Sequence, residues 1–169
     1  GESCGCMMRH LRILSLVFLV CTLAACGFQL RGAYNLPEHL LPLFLDKDSM
    51  SLLLYKELRS TIKASGAELT EDEATAASIL QISREQKTRD VISVDTLGRA
   101  REYRLIYRFS FTLQASGEAV IENSNIQLTR NLLFNPEAVL GVAEETENIY
   151  RDMVRDSAGL ILLRLQALE

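Results

Sequence analysis

Apolar and polar residues alternate most cleanly between Tyr103 and Gln114. Tyr103, Leu105, Tyr107, Phe109, Phe111 and Leu113 fall on one side; Arg104, Ile106, Arg108, Ser110, Thr112 and Gln114 fall on the other. A period of two over this length is a β-strand with one face in the core. Aromatic and aliphatic side chains suit that face. Ser116-Gly117-Glu118 predicts a tight turn. Residues 119–133 then return as a second long strand, with Val120, Ile126, Leu128 and Leu132 in one register. Asn123-Ser124-Asn125 interrupts that register and predicts a bulge or a turn. Upstream, Leu80 and Ile82 alternate within residues 79–87, a strand that Val91, Ile92 and Val94 prolong. Asp95-Thr96-Leu97-Gly98 supplies the turn into the long strand.

Two stretches carry a helical period instead. Leu54, Leu58 and Ile62 recur at i, i+4 and i+8, with Tyr55 beside them and Lys56, Arg59, Ser60 and Lys63 opposite. Asp48 or Ser49 is placed to cap this helix, and Gly66 to close it. Near the C-terminus, Ile149, Met153, Leu160 and Arg164, with Tyr150, Val154, Ala158, Ile161 and Leu165, form a broad stripe reaching about Ala167. Asn135-Pro136 predicts its start, as cap and first helical residue. Leu43-Phe44-Leu45 predicts a short second or edge strand, after an extended connector holding Pro37 and Pro42. Phe28 and Leu30 predict another short strand, and residues 68–78 a polar, acidic loop. The fold expected is α+β: two helices packed on one face of a small mixed, mostly antiparallel sheet, with the other face free.

The first part of the chain has a different character. Arg9 and Arg12 precede an apolar run from Leu14 to Leu23, which ends in Leu23-Ala24-Ala25-Cys26-Gly27. A basic start, an apolar middle and small residues before a cut make a secretory signal peptide. A cysteine directly after the cut makes it a lipobox, so Cys26 is the expected lipidation site and first mature residue. The run is shorter than the roughly 20 residues of a membrane span. Residues 1–7 resemble no part of a signal peptide, and Met7 or Met8 is the expected natural start. The division expected is a leader at residues 1–25 and a single periplasmic lipoprotein domain at residues 26–169.

Composition narrows the function. Cleavage before Cys26 removes Cys4, Cys6 and Cys21, leaving no spare thiol for a disulfide, a metal or a nucleophile. It also removes Arg9, Arg12 and Glu2, so the formal charge moves from −4 to −5. A balance of that sign argues against nucleic-acid binding. Of the two histidines, His10 lies in the leader and His39 in a proline-flanked loop. The chain carries no glycine-rich phosphate loop, nucleophile elbow or metal-spaced cluster, so neither an enzyme nor a cofactor is expected. The positive signal is cationic. Arg99 and Arg101 sit by the hairpin turn, Arg104 and Arg108 share the polar side of the long strand, Arg130 lies on the returning strand, and Lys87 and Arg89 precede the turn. Guanidinium groups hold phosphates bidentately, so a phosphorylated lipid is one expected ligand. The opposing expectation is a solvated strand face whose arginines pair with Glu85, Glu102 or Glu122.

Three pieces together resemble one family: the lipobox running into Cys26-Gly27-Phe28-Gln29-Leu30-Arg31-Gly32, the strand Glu102-Tyr103-Arg104-Leu105, and Phe134-Asn135-Pro136-Glu137 opening a long final helix. The chain resembles the LPS-assembly lipoproteins, the LptE family, over essentially its whole mature length. The resemblance implies residence in the outer membrane facing the periplasm, held by a lipid anchor on Cys26. It implies a complex with the β-barrel LptD, inside which the lipoprotein sits as a plug, and help in delivering lipopolysaccharide to the outer leaflet. Gly27, rather than an aspartate, follows the lipidated cysteine, which agrees with outer-membrane sorting. Lipopolysaccharide contacts in the family are attributed to basic residues near the hairpin turn and the start of the last helix. Arg99 and Arg101 match the first place; Val142, Glu144 and Glu145 occupy the second, a departure from the pattern. The ligand-binding residues expected are therefore Arg99, Arg101, Arg104, Arg108 and Arg130. The alternative is a stand-alone, periplasm-facing lipoprotein that binds lipopolysaccharide or another anionic lipid without a barrel.

Overall fold

A computed structural model describes residues 34–134 and 139–168 of the chain. The chain divides into two units, Gly1–Gly32 and Ala33–Glu169, and the described residues belong to the second. Cys26, the apolar leader, the strand expected at Phe28 and Leu30, and the helix start expected at Asn135-Pro136 lie outside the described residues.

The elements run β1 (Leu43–Leu45), α1 (Leu52–Ala64), β2 (Leu69–Thr70), β3 (Ser78–Val94), β4 (Ala100–Ala115), β5 (Glu118–Leu133) and α2 (Val139–Gln166). Short 3₁₀ turns lie at Glu38–Leu40, Lys47–Ser49 and Glu73–Thr75. The strands form one sheet in the order β2-β1-β3-β4-β5. β1 is parallel to both β2 and β3, while β3, β4 and β5 are antiparallel. The expected α+β layering is present. The sheet is mixed, with two parallel pairs, rather than mostly antiparallel. β1 lies inside the sheet, and β2, inside the stretch read as a loop, takes the edge; two residues are too few to show a period.

The cap of α1 also differs. Asp46 accepts from the Asp48 N–H (3.2 Å), and the Ser49 hydroxyl donates to the Asp46 carbonyl (2.6 Å) while accepting from the Ile82 N–H (3.0 Å). Asp48 and Ser49 thus belong to the preceding turn, which ties it to β3. Ser51 caps the helix, its hydroxyl accepting from the Leu54 N–H (3.3 Å). The expected stripe Leu54, Leu58 and Ile62 is fully buried, and Gly66 closes the helix at φ +81°.

β4 is the spine of the core. Leu105, Tyr107, Phe109, Phe111 and Leu113 are buried as the alternation predicts, each such side chain stabilising by about 1.5–3 kcal/mol through burial. Register shifts interrupt both pairings of this strand, and two lie beside its centre. On β3, Ser83 pairs with Ser110 but Gln86 with Arg108, so Arg84 and Glu85 together oppose Phe109. On β5, Ser124 pairs with Phe111 but Ile121 with Leu113, so Glu122 and Asn123 oppose Thr112. Arg84 and Asn123 take left-handed φ values, +56° and +48°. An extra residue reverses which face the following side chains meet. Hence Ile121, not Val120, packs against the core, and Val120 stays 45% exposed.

The β3 bulge has a second effect: it turns Glu85 toward the helices. One carboxylate oxygen accepts from the Ser51 hydroxyl (2.6 Å) and the Tyr107 hydroxyl (2.8 Å); the other accepts from the Ser51 N–H (2.7 Å). Burial, and then the adjacent Glu85 charge, raise the Tyr107 hydroxyl far above its ordinary pKa, so it remains a donor. α2 buries Tyr150, Met153, Val154, Ser157, Ala158, Ile161, Leu162 and Leu165. Leu160 is partly exposed, and Arg164 reaches along the edge of the core to β5, donating to the Ser124 hydroxyl (2.5 Å) and lying over the Phe111 ring (5.8 Å), because the helical step carries both off the stripe that Ser157 and Leu162 complete. Arg155 on α2 pairs with Glu57 on α1 (3.8 Å), joining the two helices on one side of the sheet.

Glu85→Ala is expected to lower the unfolding free energy by about 2 kcal/mol, the loss of hydrogen bonds to a charged acceptor. Urea unfolding measures it; a change below about 0.5 kcal/mol would show that the carboxylate does not tie α1 to the sheet.

Candidate functional site

The hairpin between β3 and β4 is built on Asp95. Its carboxylate accepts from the backbone N–H groups of Leu97 and Arg99 (both 2.9 Å) and from the Arg99 Nε (2.8 Å). The Arg99 N–H, together with its guanidinium and the Leu97 N–H, holds Asp95 below its ordinary pKa. Gly98 supplies the left-handed φ of +76° that the turn needs. Arg99 is therefore partly neutralised by its own turn, although exposed. Arg101 is exposed and enters none of the ion pairs among the described residues. Around these cations stand exposed apolar side chains: Val91, Val94, Leu97 (74% exposed) and, on the end of β5, Leu133 (77% exposed). The tip thus combines cationic and apolar groups.

The remaining arginines divide by register. Arg104 and Arg108 share the sheet face away from the helices, opposite Asn131 and Gln127 on β5. Four strand positions apart, they are separated by about 14 Å, too far to clamp one phosphate. Arg130 pairs in register with the buried Leu105, on the helix side, and its guanidinium meets Asp156 of α2 at 2.9 Å. Arg89 lies over the Tyr103 ring (4.6 Å) and Lys87 over the Tyr150 ring (5.2 Å). The five arginines thus occupy three places: turn, open face and helix side. The carboxylate partners expected for them do not pair with them among the described residues. Glu85 serves Ser51 and Tyr107, and Glu102 accepts from the Asn131 amide (3.1 Å).

One feature escaped the sequence pattern. Beside the β3 bulge, on the open face, lies a depression of about 310 Å³ lined by Arg84, Gln86, Arg108, Ser110, Asn125 and Gln127, together with the apolar Phe109 and Ile126. Only the bulges bring Arg84 to that face, and no periodicity announces a left-handed arginine. Among the described residues no group of three or more His, Cys, Asp or Glu is placed to hold a metal. No described helix is long and apolar enough to cross a membrane.

The family model for LptE, described as lipopolysaccharide-assembly, matches residues 43–165, from β1 to the last turn of α2. The chain belongs to the LptE family. It is 30% identical over 161 residues to the LPS-assembly lipoprotein LptE of Pectobacterium atrosepticum, covering 93% of this chain and 85% of that protein. It is 27% identical to the LptE of Photorhabdus laumondii, covering 93% and 86%. Among solved structures, a lipoprotein B of Nitrosomonas europaea matches with a TM-score of 0.69 at 27% identity, covering 83% of this chain and 91% of that one. The rare lipoprotein B of Shewanella oneidensis has the same fold, with a TM-score of 0.65 at 21% identity, covering 74% and 93%. The LptE match includes the hairpin tip, the bulged β3 and β5 and the open face, so all three arginine places lie on shared family architecture.

Because its pKa is lowered, Asp95 stays ionised through the ordinary aspartate range and releases the turn only below it. The Arg99 Nε–H resonance is expected to move as pH falls, with a midpoint under the ordinary value of about 3.9. A midpoint at or above that value would contradict the geometry of the turn.

Proposed function

We propose that the chain is a non-catalytic lipoprotein of the outer membrane that sits as a plug in the β-barrel LptD and assists lipopolysaccharide insertion into the outer leaflet. The observation that carries this is the family match over residues 43–165, from β1 to the last turn of α2. Acyl chains on Cys26 anchor it. A large barrel has a polar lumen, and the open sheet face is mostly polar: Gln86, Thr88, Asp90, Arg104, Arg108, Gln127, Thr129 and Asn131 occupy it in register, around Ile106. The opposite face is closed by two helices over a core that includes the fully buried Leu54, Leu58, Leu105, Phe111 and Met153. A filled interior of this kind supports a plug over the alternative, a stand-alone carrier, which needs an apolar cavity for acyl chains.

The tip supports the lipid part of the role. Arg101, assisted by Arg99, offers guanidinium groups to phosphate, and Leu97, Val94 and Leu133 offer apolar surface beside them. Arg104, Arg108 and Arg130 remain part of the proposed basic set, with Arg130 held by Asp156.

Purification of the lipidated protein in mild detergent is expected to bring down LptD from the same cells; its absence would refute the plug. Replacing Arg99 and Arg101 together by Glu is expected to weaken lipopolysaccharide binding at least tenfold at physiological salt, with LptD recovery unchanged. Unaltered binding would remove the tip from the ligand path.

A further inference from the structure

The depression on the open face stands apart from the hairpin tip. Arg108, on its edge, is seven residues along β4 from Arg101, about 23 Å at strand rise. Three observations give it chemistry. First, two non-glycine residues with left-handed φ flank the same strand, Arg84 on β3 and Asn123 on β5, and the Arg84 Nη2 donates to the Asn123 Oδ1 across it (3.3 Å). Bulges of this kind re-aim side chains and gather beside functional sites. Here the bulge delivers a second guanidinium beside Arg108, on a face where plain alternation places the next arginine, Arg104, four residues away.

Second, neither guanidinium is neutralised. Arg108 donates through Nε (3.1 Å) and Nη2 (2.9 Å) to the Gln86 Oε1, and Arg84 to an Asn oxygen; both partners are uncharged amides. Neither arginine enters the ion pairs among the described residues. A guanidinium carries five N–H donors, so each has donors to spare. They are positioned by neutral groups and keep their full charge, an arrangement suited to an oxyanion.

Third, the space exceeds what a lone oxyanion needs. About 310 Å³ lies at the lower end of small-ligand pockets, roughly 300–1,000 Å³. Its other polar groups are amide and hydroxyl, Gln86, Asn125, Gln127 and Ser110, whose hydroxyl donates to the Asn125 Oδ1 (2.7 Å), while Phe109 and Ile126 complete the lining with apolar surface. Side-chain amides carry donors and acceptors side by side, the complement of neighbouring sugar hydroxyls.

We propose that this depression is a binding subsite for a phosphorylated sugar, its phosphate held between Arg84 and Arg108 and its hydroxyls by Gln86, Asn125 and Gln127. The subsite rests on the lipopolysaccharide reading only for the source of the sugar; its chemistry stands without it. Two sources share that chemistry, the saccharide headgroup of a lipid and a free sugar phosphate.

The test is titration of the full protein, solubilised in mild detergent, followed by NMR of the arginine Nε–H groups. Glucose 1-phosphate is expected to shift Arg84 and Arg108 saturably and to bind at least tenfold tighter than inorganic phosphate or glucose. R84Q/R108Q is expected to abolish the shifts, whereas R99E/R101E leaves them. Should R84Q disturb the bulge, R108Q alone, in regular strand, is expected to weaken binding at least fivefold. No shift, shifts undiminished in R84Q/R108Q and R108Q, phosphate binding as tightly as the sugar phosphate, or preference for a polyglutamate peptide would each overturn the proposal. Competition by lipopolysaccharide assigns the lipid headgroup as the source. Binding of glucose 1-phosphate without that competition supports the subsite, assigns it to free sugar phosphates and counts against a lipopolysaccharide role for this face, so the two readings fail separately.

Discussion

The extra residue in β3 is the constraint on which the rest of the domain depends. Without it, Glu85 would face away from the helices, and Ser51 and Tyr107 would lose a shared acceptor. With it, one carboxylate joins the N-terminus of α1, the bulged strand and the centre of β4. The hydroxyl of Tyr107 can then be buried in the core because its partner is charged and fixed. The same backbone event sets the register of β3 from Gln86 to Val91, and it places Arg84 on the opposite face. Stability on one side of the sheet and charge on the other thus come from a single irregularity.

Charge on this acidic chain is arranged by partner rather than by number. Arg130 and Arg155 join α2 to its neighbours through Asp156 and Glu57. Arg89 and Lys87 lie over aromatic rings. Arg99 is shared with the turn that carries it. Arg84, Arg101, Arg104 and Arg108 enter no ion pair among the described residues, and they lie at the tip and on the open face. On the hairpin strands of a net negative protein, unpaired guanidinium charge is therefore gathered at the tip and on the open face, which suits selective contact with anionic groups better than a diffuse basic field would.

Much of the fold was legible because its signals are local and periodic. The alternation of β4 placed all but one of its six core side chains in full burial, and the i, i+4, i+8 spacing of Leu54, Leu58 and Ile62 placed α1. What escaped depends on partners distant in sequence. β2 exists only because β1 lies beside it. Ser51 caps α1 because Ser49 is already bound to β3. Val120 faced outward because the bulge at Asn123 shifted its phase, although the polar interruption at residues 123–125 marked where. The arginines were found as residue types, but their division among turn, open face and helix side follows from strand register, and the pocket beside Arg84 follows from a backbone conformation that composition does not encode.

The plug reading joins these strands: a polar sheet face toward a barrel wall, a filled core behind it, and a cationic, apolar-flanked tip. Site-specific photocrosslinking tests it most directly, with a photoreactive residue in place of Thr129 or Ile106 on the open face, in cells producing both proteins. The account predicts an adduct with the LptD barrel from these positions. A barrel that forms no adduct from either position, in a protein that is folded and lipidated, would contradict it.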